Sequence, residues 1–174
     1  KRHSYFETLN TEMRRIFKEI TNKEIAEYGM SCWFRWLAYA TQSDEKFYVS
    51  DYDAINVNFP ITEPSNQLHL MDLDCPFFAS GTPAQFENLC KAFVELSNQR
   101  IDILKQQADH YHDQEFFLYN SEELKNHHNI VMTRERDKLL SPYIKDCLTP
   151  IIHFSHFRCK TNSNRIKLIK EILS

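Results

Sequence analysis

The apolar residues Phe6, Leu9, Met13, Ile16, Phe17 and Ile20 recur every three or four positions, with charged side chains between them. That period predicts an amphipathic helix from about Tyr5 to Ala26. A second helix is predicted over Met30 to Thr41, where Trp33, Leu37 and Tyr39 are large apolar groups. After the polar turn Gln42-Ser43-Asp44-Glu45 the pattern changes, and Lys46-Phe47-Tyr48-Val49-Ser50 has the aromatic and β-branched content of a strand. Asp51-Tyr52-Asp53 follows it, and Ala54 to Phe59 is expected to continue extended as far as Pro60.

Pro60, Pro64 and the pair Ser65-Asn66 punctuate a loop. Leu68 to Met71 and Phe77-Phe78-Ala79 predict two more short strands, the second closing on Ser80-Gly81-Thr82-Pro83. Thr82 is placed to cap a helix, with Pro83 at its first position and Gln85 at its third. The spacing of Phe86, Leu89, Cys90, Phe93, Leu96, Ile101 and Leu104 carries that helix in one piece to about His110. A short helix is expected from Asp113 to Tyr119, then a polar connection through Ser121-Glu122-Glu123-Leu124 to Asn129. Ile151-Ile152-His153-Phe154 predicts a strand, and Asn164 to Leu173 a closing amphipathic helix. Helices alternating with buried strands, without repeats or linkers, predict a single α/β domain over residues 31–174, preceded by a helical segment over residues 1–30.

Composition narrows the chemistry. The 174 residues suit one domain, and 42% hydrophobic content is enough for a core. A net charge of −3, with both signs mixed along the chain, gives no field to recruit nucleic acid. With two glycines, Gly29 and Gly81, no glycine-rich phosphate loop can be built, so any bound nucleotide must have its phosphates held by a metal or by basic side chains. Five cysteines without a CxxC pair favour reduced, buried thiols over a zinc knuckle, which favours a cytoplasmic setting and leaves a single disulfide in a secretory lumen open. No apolar run approaches the ~18 residues of a membrane span. Lys1 in place of an initiator methionine fits a trimmed piece of a longer chain.

The clearest candidate chemistry is Asp51 and Asp53. Carboxylates at i and i+2 of an extended chain point the same way and can share a hard divalent ion, Mg²⁺ or Mn²⁺, that bridges to substrate phosphates. A solvated turn is the plain alternative. Arg35, in Ser31-Cys32-Trp33-Phe34-Arg35-Trp36-Leu37, is a charge on an apolar helix and must reach water or pair with an anion, either a carboxylate of this chain or a diphosphate. His153 ends an apolar strand, where an imidazole can complete a metal shell or sit satisfied at the rim. Asp113 with Gln114 opens a helix; the carboxylate can cap that helix or face a substrate as a base. Neither GxSxG nor HExxH is present.

In this order the features resemble the metal-dependent glycosyltransferases of the GT-A fold that carry a DXD motif. An arginine-bearing helix precedes a strand ending in Asp-x-Asp, here Trp33-Phe34-Arg35-Trp36 before Phe47 to Asp53. A strand, small residue, glycine and helix follow, here Phe77-Phe78-Ala79-Ser80-Gly81-Thr82. Asp113-Gln114 is similar to the family's Asp-Gln at a helix start, and His153-Phe154 to its late His-Phe pair. The resemblance covers about Ser31 to Lys160 and departs at the start, where no β-α-β nucleobase unit precedes Ser31.

The resemblance implies a GT-A-like, Rossmann-like fold of the nucleotide-diphospho-sugar transferase type, without its first β-α-β unit. It further implies Mn²⁺ or Mg²⁺ on Asp51, Asp53 and His153, and Asp113 as the catalytic or sugar-facing carboxylate. Arg35, Ser80, Gly81, Gln114, Arg158 and Lys160 would contact substrate. The donor would be a nucleotide sugar, a UDP-sugar foremost, with the acceptor undetermined. Two rival expectations stand beside it: a non-catalytic glycosyltransferase-like interaction domain, and a metal-dependent hydrolase using the same aspartates.

Overall fold

The computed structural model describes residues 2–22, 27–42, 45–51, 54–56, 66–71, 78–107, 111–128, 130–133, 151–153, 167 and 170. The chain is mixed α/β and mostly helical. The elements run α1 (Arg2–Thr21), α2 (Glu27–Ala40), β1 (Phe47–Ser50), β2 (Ala54–Asn56), β3 (Leu68–Met71), β4 (Phe78–Gly81), α3 (Pro83–Gln99), α4 (Ile101–Gln107), α5 (Asp113–His127), β5 (Ile130–Thr133) and β6 (Ile151–His153). The main sheet has the order β1-β4-β3-β5, with β1/β4 and β3/β4 antiparallel and β3/β5 parallel. A separate pair joins β2 and β6 antiparallel.

The apolar stripe of α1 behaves as its period requires: Leu9, Met13, Ile16 and Ile20 are buried. α3 packs against both α1 and α2, and α5 packs against α3 and β5. The centre of the core is aromatic. Phe86 is fully buried, its ring 5.4 Å from Phe47, 5.3 Å from Tyr39 and 6.2 Å from Trp36. Phe117 meets Trp36 edge-on at 5.6 Å, so α2, β1, α3 and α5 converge on one cluster of rings.

The capping box at α3 forms as its sequence predicts. The Thr82 hydroxyl accepts the Gln85 N–H, and the Gln85 amide oxygen accepts the Thr82 N–H at 2.8 Å. Gly81, the last residue of β4, leaves space for that glutamine. A Cβ there would lie 2.8 Å from Gln85 Oε1 and 3.0 Å from Leu68 Cδ1.

Two expectations are corrected, and one strand is new. The helix from Pro83 is two helices, broken at Arg100, whose N–H reaches back to Ser97 and Asn98 carbonyls and whose own carbonyl opens α4. Ser97-Asn98 is a weak helical stretch, and both side chains are engaged elsewhere: Ser97 Oγ with Tyr111 at 2.7 Å, Asn98 Oδ1 with Arg15 at 2.6 Å. The short helix at Asp113 runs through the expected polar connection to His127. Its buried stripe is Phe116, Asn120 and Leu124, and the asparagine at its centre hid the period; Asn120 is satisfied locally by donating to the Phe116 carbonyl at 2.9 Å. Strand β5, parallel to β3, was not anticipated. The expected extension of β2 beyond Asn56 and most of the closing helix fall outside the described residues, although Lys167 and Lys170 are helical.

Candidate functional site

Arg35 is the hub of the candidate site. It projects from α2, whose Trp33, Trp36 and Leu37 are buried in the core, so its guanidinium is carried to the core's edge with 22% of the side chain exposed. Nη1 donates to Asp51 Oδ1 at 2.8 Å and Nη2 to Asp113 Oδ2 at 2.5 Å. The guanidinium carbon also lies 4.8 Å from the Trp36 ring centroid, a cation–π contact that fixes its plane. Of the alternatives open to a charge on an apolar helix, the structure uses pairing within the chain.

Asp113 is the first residue of α5 and is almost wholly buried, at 3% exposure. Its Oδ2 accepts from Arg35 and, at 3.0 Å, from the Trp36 indole N–H, while its Oδ1 lies 3.4 Å from His112 Nδ1. Burial alone pushes its pKa up, but His112, the Arg35 charge and the Trp36 donor outweigh it and hold the carboxyl below its ordinary value. An ionised, inward-facing carboxylate is placed to anchor Arg35. The helix cap is His112, not Asp113: Nδ1 of His112 accepts the Gln114 N–H at 3.2 Å, and the His112 N–H donates to Glu115 Oε2 at 3.1 Å. His112 is not among the candidates read from the sequence. The signal that marks it is the spacing His112 to Glu115, the N-cap-to-third-position interval of a capping box.

Asp51 directly follows β1, as expected, with 24% of its side chain exposed. The Ala54 N–H bonds the Asp51 carbonyl at 3.1 Å. β2 then pairs with β6 so that Ala54 stands opposite His153. The register therefore brings His153 opposite Ala54, whose N–H is bonded to Asp51. Asp53, Arg158 and Lys160 lie outside the described residues. Among the described residues no three His, Cys, Asp or Glu side chains gather around a metal-sized point.

The remaining candidates are placed as follows. Ser80 and Gly81 are buried in β4, opposite Tyr48 and Phe47 of β1, and belong to the sheet interior. Gln114 contributes its backbone N–H to the His112 cap. A narrow crevice with no room for a water molecule runs between Arg35, Trp36, Tyr39, Asp51 and Phe78. Tyr39 and Val49 also line an open groove of about 410 Å³ along β1, rimmed by Gln42, Glu45 and Lys46. Cys32, near Arg35, is a poor nucleophile: burial first, then the Asp113 charge, push its thiol up to about 11.

No helix among the described residues is long and apolar enough to cross a membrane. No protein-family model matches the chain, and neither a curated protein nor a solved structure matches it.

Proposed function

We propose that this domain is a metal-dependent, GT-A-like glycosyltransferase whose ion is held by Asp51, Asp53 and His153 and whose donor is a nucleoside diphosphate sugar. The observation that carries the reading is the β2–β6 register, which seats His153 opposite Ala54, three positions after Asp51. Two carboxylates and an imidazole form a donor set suited to Mn²⁺, with Mg²⁺ the harder alternative. A bound divalent cation would offset the charge that develops on the departing diphosphate.

The chain's own groups supply the rest. Arg35 fixes the Asp51 carboxylate from behind, and Asp113 with Trp36 fixes Arg35. This reading moves Asp113 from catalysis to positioning, because its oxygens face Arg35, Trp36 and His112. The groove beside β1 falls within the roughly 300–1,000 Å³ of small-molecule sites and supports donor binding there. Arg158 and Lys160 are proposed to steady the diphosphate.

Calorimetric titration with Mn²⁺ and then UDP tests the proposal. The wild type binds both, and Asp51→Ala with Asp53→Ala, or His153→Ala, weakens Mn²⁺ at least tenfold. A wild type that binds neither, or an aspartate pair variant that binds unchanged, refutes it. Turnover of a nucleotide sugar with and without acceptor separates transfer from hydrolysis.

A further inference from the structure

The nitrogen that caps α5 has more neighbours than one protonation state can serve. Nδ1 of His112 lies 3.2 Å from the Gln114 backbone nitrogen, 3.1 Å from Glu115 Oε2 and 3.4 Å from Asp113 Oδ1. An unprotonated Nδ1 accepts the Gln114 N–H and faces two carboxylate oxygens with a lone pair. A protonated Nδ1 donates to a carboxylate and has no lone pair left for the cap. Both arrangements fit the same ring position, and they exchange a neutral hydrogen bond for a charge-assisted one.

We propose that His112 is a proton-operated switch at the α5 N-terminus, and that its state is transmitted through Asp113 to Trp36, Arg35 and Asp51. Four residues form the line, His112 to Asp113 Oδ1, Asp113 Oδ2 to Arg35, and Arg35 to Asp51, and Trp36 branches from it at Asp113 Oδ2. In the protonated state Asp113 is shared between two cations, and its hold on Arg35 weakens. In the neutral state Arg35 and Trp36 have the carboxylate to themselves, and the Gln114 cap is complete.

The charged groups that face the imidazole are Asp113 and Glu115 from α5 itself and Arg35 from α2. The Asp113 contact raises its pKa first, burial opposes, the two carboxylate charges add and Arg35 subtracts, so the net displacement is upward. The imidazolium's contribution to stability is thus complete below the ordinary histidine value of 6.5 and lost as pH rises through the higher folded value. The side chain is 26% exposed, so protons reach it from solvent.

The two tryptophans give the test a built-in control. Trp36 Nε1 donates to Asp113, whereas Trp33 Nε1 is buried with no partner among the described residues. Nitrogen–proton correlation spectra recorded from roughly pH 5 to 9 should show the Trp36 indole and the Gln114 amide moving with a shared midpoint above 6.5, that of the His112 ring. The Trp33 indole should stay flat. His112→Asn, which still caps a helix but does not titrate, should abolish both movements. An unmoved Trp36 indole while the His112 ring titrates overturns the switch, as does a step that survives in His112→Asn.

The link to Asp51 rests on the proposed metal site, and Mn²⁺ affinity over the same pH range tests it separately. A wild-type pH dependence reduced in His112→Asn supports the link, and identical profiles refute it. Absence of Mn²⁺ binding together with a titrating indole refutes the metal reading and leaves the switch standing.

Discussion

Arg35 holds two carboxylates with bonds of similar length, yet they are not of equal weight. Asp113 keeps 4% of its side chain exposed and Asp51 keeps 24%. Ion pairs nearer solvent contribute about 1 kcal/mol, so Asp51→Asn, at a half-buried pair, is expected to cost about that much. Asp113→Asn preserves shape and an acceptor oxygen but removes the buried charge that balances the guanidinium. Removing one partner of a buried pair costs about 3–5 kcal/mol, since the other charge is left in a low-dielectric site. For a chain of 174 residues that is a fall in Tm on the order of 10 °C. Urea unfolding of the two variants measures the difference directly. A cycle adding Arg35→Met should return a coupling of about 1–3 kcal/mol between Arg35 and Asp113. Equal destabilisation by Asp51→Asn and Asp113→Asn, or a coupling under about 0.5 kcal/mol, would refute the claim that burial makes Asp113 the anchor.

Two further outcomes follow from the core and the site. Phe86→Ala opens a void among Trp36, Tyr39 and Phe47 and should cost about 3–5 kcal/mol in denaturant unfolding, with the Trp36 indole signal displaced as well. Because the folded Asp113 carboxyl titrates below its ordinary value near 3.8, its stabilisation is complete above that pH and is lost as pH falls through the lower folded value. The stability gap between wild type and Asp113→Asn should therefore narrow on acidification below about pH 4; a gap that widens would contradict the sign.

Much of the fold was legible where one physical signal dominated. The period of α1, the strand content of Phe47 to Ser50 and the Thr82–Gln85 cap all produced the expected elements. The misses occurred where a polar residue does interior work. Asn120 sits in the buried stripe of α5 and made a continuous helix read as a connection. Ser97 and Asn98 break the long helix by bonding sideways to Tyr111 and Arg15, partners that no local window contains. At the site, residue types pointed to Arg35, Asp51 and Asp113, but not to their mutual contact, because that contact depends on how α2, β1 and α5 pack. His112 was missed for a different reason: its partners Asp113, Gln114 and Glu115 are all local, but histidine is not among the residues that usually cap a helix.

The Arg35–Asp113 bond spans 78 positions of sequence, which has a consequence for how the chain is made. At roughly 5–20 residues per second, translation delivers the aspartate about 4–16 s after the arginine. During that interval the α2 face of Trp33 and Trp36 exists with a cation at its edge and neither α5 nor Asp113 to cover it. The nascent chain thus carries a charged aromatic surface open to chaperones, and closure of the ion pair marks the moment α5 has docked.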